Sequence, residues 1–176
     1  MKRKNAISNL ILPLMLFSMV NIYAQKEVEN RQSHLLGINA GLTFIPVAFE
    51  SIETDANGLV IPTVGLDYKY QFLPKWSAGF QGAVELDRYR VTDGEIERDN
   101  ALVLTFLGMY SPIEHLDFFL GGGVEIESHE NLGVFRFGTQ YSIDMGKQWA
   151  LVPRVYFDFK EHYNTWSFAV SFARKI

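Results

Sequence analysis

Between Trp76 and Asp87 the chain sorts its residues into two rows with a period of two. Trp76, Ala78, Phe80, Gly82, Val84 and Leu86 form one row, and Ser77, Gly79, Gln81, Ala83, Glu85 and Asp87 form the other. Alternate residues of a strand point to opposite faces, whereas a helix would mix the two rows on every turn. The pattern recurs from Trp149 to Lys160, where Trp149, Leu151, Pro153, Val155, Phe157 and Phe159 oppose Ala150, Val152, Arg154, Tyr156, Asp158 and Lys160. It returns once more near the end, with Trp166, Phe168, Val170 and Phe172 against Ser167, Ala169, Ser171 and Ala173. The chain is therefore expected to be all-β.

With less regular alternation, five more segments follow the same period: His34–Val47, Leu59–Phe72, Ala101–Ser111, Leu116–Glu127 and Gly133–Met145. That makes eight strands, each of about the ~9–11 residues a tilted membrane strand needs, or somewhat longer. The connections alternate in character. Leu73-Pro74-Lys75, Pro112 to His115 and Gly146-Lys147-Gln148 are tight, while Glu50–Gly58, Val91–Asn100, Ser128–Leu132 and Glu161–Thr165 are mostly longer and polar. Short turns at one end and long loops at the other are the asymmetry of outer-membrane barrels. Pro153 interrupts this scheme, because a proline inside a closed sheet removes a ladder donor, and a bulge or a locally widened pairing is expected there. Pro46 and Pro62 flank the first long loop, where a missing donor costs less.

Ahead of the strands, Lys2, Arg3 and Lys4 precede an apolar run from Ile7 to Val20 that ends near Ala24. This is the layout of a secretory signal, with cleavage after Ala24 and export through the Sec pathway. The run falls short of the ~20 apolar residues of a membrane-spanning helix. The expected organisation is thus a signal peptide over 1–24, a flexible periplasmic lead-in over 25–33, and a barrel over 34–176. Removing the signal takes three cations and no acid, so a net charge of −4 becomes −7. An acidic mature chain argues against nucleic acid as a partner. The absence of cysteine excludes disulfides, thiolate metal sites and a lipoprotein anchor.

Which row faces outward is a question of volume. A soluble lipocalin-like barrel would turn its rings inward, but an eight-stranded barrel has an interior only just filled by side chains. Trp76, Phe80, Phe118, Phe135, Phe137, Trp149, Phe157, Phe159, Trp166, Phe168 and Phe172 would overfill it. The opposite rows hold glycines such as Gly65, Gly121 and Gly123 with charges between them, which suits a narrow polar lumen. The apolar rows are therefore expected to face lipid, with the sheet closed so that no edge is exposed to hydrocarbon. Rings also gather at both ends, with Tyr68, Tyr70, Trp76, Tyr110 and Trp149 near the turns and Phe157, Phe159 and Trp166 near the loops. Such bands are expected at the two membrane interfaces.

On strand number, turn asymmetry and the last strand Trp166-Ser-Phe-Ala-Val-Ser-Phe172, the chain resembles the small OmpX/OmpW-like, opacity-porin type of outer-membrane β-barrel. The resemblance implies an eight-stranded antiparallel up-and-down transmembrane barrel in the outer membrane of a Gram-negative bacterium. It also implies that Trp166, Phe168, Val170 and Phe172 form the signal read by the barrel-assembly machinery, after periplasmic chaperones have delivered the chain. Barrels of this type end on the aromatic itself, whereas here Ala173-Arg174-Lys175-Ile176 follow Phe172.

The lumen rows would carry Asp67, Lys69, Glu85, Asp87, Glu125, Glu127, Arg136, Asp144, Arg154, Asp158 and Lys160. Unpaired interior charge is costly, so these residues are expected to pair into a plug, with Arg136 and Arg154 bridging Glu85 and Glu125. The function expected first is a non-enzymatic, structural or adhesive barrel with a narrow or plugged lumen. A porin-like small-solute channel is the second reading. The third is a lipid A-modifying enzyme using His162, Ser167 and a rim acid such as Glu161 or Glu127. No nucleotide, haem, flavin or zinc motif occurs, so no cofactor or metal is expected. The acidic loops, with Glu50, Glu53, Asp55, Asp93, Glu95, Glu97 and Asp99, read as a solvated rim that could meet lipopolysaccharide through divalent ions. Outer-membrane lipid and lipopolysaccharide are the expected partners of a monomer.

Overall fold

The computed structural model describes residues 33–46, 58–91, 96–128 and 130–176. The signal peptide, nearly all of the lead-in, most of the first long loop with its acids, the tip of the second loop with Asp93 and Glu95, and His129 lie outside the described residues. The wall of the barrel is built from β1 (Ser33–Ile45), β2 (Leu59–Leu73), β3 (Trp76–Glu85), β6 (Leu102–Ile113), β7 (Leu116–Ile126), β8 (Leu132–Tyr141), β10 (Trp149–Lys160) and β11 (Asn164–Lys175). A two-residue strand, β9 (Ile143–Asp144), continues the line of β8. Each stave pairs antiparallel with its neighbours in sequence, and β11 closes the ring on β1 from Leu35↔Lys175 to Phe44↔Trp166. This is a closed eight-stranded antiparallel barrel, as the alternation predicts. Its boundaries differ from the expected ones by a few residues at most, and β1 starts at Ser33, inside the expected lead-in.

The rows fall as the volume argument requires. Ala150, Val152, Arg154, Tyr156, Asp158 and Lys160 of β10 are all buried, while Trp149, Val155 and Phe159 are exposed. Phe106, Leu120, Ile38 and Leu66 stand bare on the outside, with 58–72% of their surface accessible. A soluble protein rarely carries so continuous an apolar exterior. Inward glycines let the sheet coil this tightly. A Cβ added at Gly121 would lie 1.9 Å from the Phe106 carbonyl oxygen, against 3.6 Å from its nearest neighbour at the outward Gly122.

Pro153 requires a different account from the expected bulge. The β10–β11 register runs unbroken through Pro153↔Val170. On its other side, Leu151 pairs with Ile143 and Arg154 with Gln140, the same register on both sides of the gap. No residue is inserted, and the ladder simply skips the positions opposite Val152 and Pro153, where Ser142 donates its N–H to the His115 carbonyl at 2.8 Å instead. Of the two expected forms the bulge is absent, and in its place stands a two-residue gap in an otherwise continuous register.

The second long loop is not merely a solvated rim. Its described residues form a two-stranded sheet, β4 (Arg88–Val91) and β5 (Ile96–Asp99), outside the barrel ladder. Tyr89 and Val91 of this hairpin are buried in an apolar cluster with Ile45, Ile61, Leu132 and Tyr163, packed also by Leu59 and Ile96. The hairpin therefore turns an apolar face onto the barrel mouth.

Candidate functional site

The lumen holds three tiers of polar chemistry. At the loop end Lys160 donates to Glu85 Oε1 at 2.8 Å and lies 2.7 Å from Glu125 Oε2. Tyr163 donates to Glu125 at 2.9 Å and accepts from Lys160 at 3.1 Å. Tyr89 donates to Glu85 from the hairpin, beyond the barrel wall. Burial above all, then the neighbouring Glu85 carboxylate, push the Tyr89 phenol up, so it remains a donor. Arg98 of the hairpin enters the same tier, its Nε 3.0 Å from Glu125 Oε1 and its Nη1 3.8 Å from Glu127 Oε2. Nη1 also donates to the Glu130 carbonyl at 2.7 Å.

The middle tier is an ion pair between neighbouring strands that reaches across the tube to Gln81 of β3. Arg136 donates from Nε and Nη2 to the two oxygens of Asp158, both at 2.7 Å, and from Nη1 to Gln81 at 3.0 Å. Its guanidinium lies 4.0 Å from the centre of the Tyr156 ring. Planar bidentate pairing of this kind combines geometric specificity with strong charge-assisted hydrogen bonds.

At the turn end Arg154 forks onto Asp67, which also accepts from Asn39 at 2.9 Å. Lys69 donates to Asp117 at 2.6 Å, and Ser111 and Gln140 complete that carboxylate at 2.6 and 2.9 Å. Between these pairs lies a cavity of about 20 Å³ lined by Asp67, Lys69, Gln81, Gln140, Arg154 and Ser171. That is roughly the space one water needs. A small apolar cluster, Ala150, Val152 and Ala173 with Leu35, packs at the same end.

Of the expected lumen residues, Asp67, Lys69, Glu85, Glu125, Glu127, Arg136, Arg154, Asp158 and Lys160 take part in these tiers. Asp87 and Asp144 do not. β3 ends at Glu85, and Asp87 turns outward in the bend, where its carboxylate accepts from the Arg88 N–H at 2.7 Å. Asp144 sits exposed at the turn end, where Lys175 bonds it at 2.7 Å and that hydrogen bond holds its carboxyl below the usual range. The expected bridges from Arg136 and Arg154 to Glu85 and Glu125 are also corrected. Arg136 stands directly opposite Asp158 in the β8–β10 register, and Arg154 lies nearer the turns, so each takes the acid at its own height. Missing from the expectation were Arg98, Tyr89, Tyr163 and Asp117. Asp117 shares the inward parity of Glu125 and could have been found by counting, whereas Arg98 lies between Glu97 and Asp99 and carries no such mark.

The enzyme constellation is not assembled. Ser167 shares a hydrogen bond of 2.9 Å with Thr43 inside the barrel, while the exposed His162 lies 4.0 Å from Glu130. Among the described residues no group of three or more His, Asp or Glu could hold a metal. Glu97 and Asp99 of the acidic loop pair with Arg90 and Arg88 across the hairpin.

On the outer face, Tyr68, Trp76, Tyr110, Trp149, Phe159 and Trp166 are exposed, while Tyr70 and Phe157 are half-buried by ring neighbours. Trp149 stacks on Phe172 at 4.7 Å, and Trp76 packs against Tyr110 at 4.9 Å. Trp166, Phe168, Val170 and Phe172 share this outward face.

No protein-family model and no curated protein sequence matches the chain. Its fold is similar to that of Ail, the attachment invasion locus protein of Yersinia pestis, in the crystal structure of Ail with the heparin analogue sucrose octasulfate. The TM-score is 0.56 at 12% identity, over 82% of this chain and 99% of Ail. A second Ail crystal structure gives 0.53 at 10% identity, with the same coverage. The outer membrane protein OprG from Pseudomonas aeruginosa scores 0.49 at 14% identity, over 85% of this chain and 99% of OprG. At these identities the likeness to Ail is one of fold alone.

Proposed function

We propose that this chain is a non-enzymatic outer-membrane barrel that acts through its outer surface and loops, as a structural or adhesive protein, and passes no solute. The observation that carries this reading is the filled lumen. The Arg136–Asp158 clamp with Gln81 and Tyr156 crosses the tube, and the hairpin and its apolar cluster lie over the mouth. Arg136 and Asp158 are paired on neighbouring strands, so opening the tube here means pulling Gln81 of β3 off the buried guanidinium, and a hydrogen bond to a charged group is worth about 1.5–3 kcal/mol. The apolar belt supports residence in a bilayer, and the closed ladder leaves no strand edge to hydrocarbon. The outer membrane, reached by Sec export and assembly through the outward row Trp166 to Phe172, is the reading consistent with that belt.

An adhesive role does not carry over the ligand seen on Ail. Sucrose octasulfate is a polyanion, whereas the loops here hold Glu50, Glu53, Asp55, Asp93, Glu95, Glu97 and Asp99. Like charge on both sides disfavours that encounter. The purified protein is expected to pass through a heparin column at physiological salt.

Three measurements test the reading. In planar bilayers the protein is expected to give no conductance steps; resolved steps would replace it with the porin-like channel. Mass spectrometry of lipid A from cells with and without the gene is expected to show identical profiles, and a changed acyl pattern would mark a lipid A-modifying enzyme. Outer-membrane fractions are expected to contain a monomer whose migration on gels shifts with heating.

A further inference from the structure

Arg98 is out of keeping with the loop that carries it. It belongs to a hairpin whose other cations, Arg88 and Arg90, are solvated, yet it is fully buried, with 0% of its surface accessible. Its guanidinium enters a seat formed by the Glu125 and Glu127 carboxylates and the Glu130 carbonyl. Two of its donors, Nε and Nη2, have no hydrogen-bond partner there, although Nε lies 3.0 Å from Glu125. The seat therefore holds the cation by charge and burial, without matching every donor.

The hairpin around it is jointed to the barrel. Among the described strands, β4 and β5 pair in a sheet of their own. At the base the β3–β6 pairing runs on through a bend into the hairpin, with the Glu85 N–H bonded to the Ala101 carbonyl, the Leu86 N–H to the Pro62 carbonyl and the Asn100 N–H to the Asp87 carbonyl, and Asn100 sits in the left-handed region at φ 49°. The Arg88–Asp99 and Arg90–Glu97 pairs hold the two strands to each other. Beyond these base bonds, what holds the hairpin over the mouth is its inner face, with Tyr89 and Val91 in the apolar cluster, Tyr89 on Glu85 and 2.9 Å from the Tyr163 hydroxyl, and Arg98 in the acidic seat.

We propose that the barrel mouth contains a guanidinium-binding seat, filled at rest by the chain's own Arg98, and that this contact latches the β4–β5 hairpin as a movable cap. When the cap lifts, the seat is free to take a guanidinium group from outside, as on an arginine-bearing peptide. The proposal rests on the sealed, membrane-inserted barrel above, and its test is read at the mouth alone.

Because the chain contains no cysteine, one introduced thiol reports one place. Thr165→Cys puts a thiol on the fully buried lumen face at the loop end, where the native hydroxyl has no hydrogen-bond partner. Ser171→Cys puts one beside the turn-end cavity. In lipid nanodiscs, reaction with a water-soluble maleimide is expected to quicken at Thr165→Cys when Arg98→Ala is added, by about tenfold or more, since a buried charge pair shifts a closed-to-open equilibrium at least that far. Ser171→Cys is expected to react at the same rate with or without Arg98→Ala. Millimolar guanidinium chloride, far below denaturing strength, is expected to slow Thr165→Cys labelling again in the Arg98→Ala protein, and an equal concentration of sodium chloride is not. Equal labelling of Thr165→Cys in both backgrounds would overturn the latch. So would equal acceleration at both thiols, which marks loosening of the whole barrel. Protection by sodium as effective as by guanidinium would overturn the seat. Conductance of the unmodified protein would sink the functional reading without touching this comparison.

Discussion

The two ends of the lumen solve the same problem by different means. At the loop end Glu85, Glu125, Lys160 and Arg98 are almost wholly removed from solvent, and an apolar cluster with the hairpin shuts them in. At the turn end Asp67 and Lys69 keep 14% and 17% of their side-chain surface, and a water-sized cavity lies among the charges. A charge that can draw water needs its protein partner less. The loop end should therefore tolerate loss of one partner badly and the turn end moderately, although both consist of ion pairs.

The largest effect is expected from Glu125→Ala, which takes the shared acceptor from Lys160, Arg98 and Tyr163 together. Breaking a buried pair costs about 3–5 kcal/mol, and urea unfolding in lipid vesicles should show a loss in that range. Asp67→Ala comes next. It leaves Arg154 beside the cavity and within reach of water, so about 1–3 kcal/mol is expected from the same assay. A larger loss for Asp67→Ala than for Glu125→Ala would break the contrast between the two ends.

The smallest effect belongs to Asp144, outside the lumen altogether. Its Lys175 hydrogen bond lowers its folded pKa, so the contribution is present above the unfolded value of about 3.9 and fades as pH falls through the folded value. Both side chains are more than 40% exposed, so solvent screening holds the effect to about 0.5 kcal/mol or less. Asp144→Asn should lower the urea midpoint slightly at pH 7 and not at all near pH 2. A change as large as that of Asp67→Ala would make this exposed pair part of the barrel's support.

What could be read in advance divides along the same line. The limits of β10, Trp149 to Lys160, were expected to the residue because twelve positions alternate without a break. Parity also told inside from outside at Asp67, Arg154 and Asp158. It failed at Asp87 and Asp144, because parity holds only while a residue is walled in, and both lie where the wall stops. Partners were beyond it as well, since Arg136 finds Asp158 through a register that no single strand reveals. The hairpin escaped for a chemical reason. With Glu97, Arg98 and Asp99 in a row, only packing against the mouth distinguishes the buried guanidinium from its solvated neighbours.

The central claim is that the greasy face looks onto acyl chains, and the chain's three tryptophans report on it directly. Trp76, Trp149 and Trp166 are all exposed on the outer wall, the first two near the turns and the third near the loops. In vesicles of lipids brominated along their tails, the folded protein should lose most of its tryptophan fluorescence, and iodide in the buffer should quench little. A protein that keeps its β-structure in detergent-free buffer, with tryptophans quenched by iodide and indifferent to brominated tails, would contradict it.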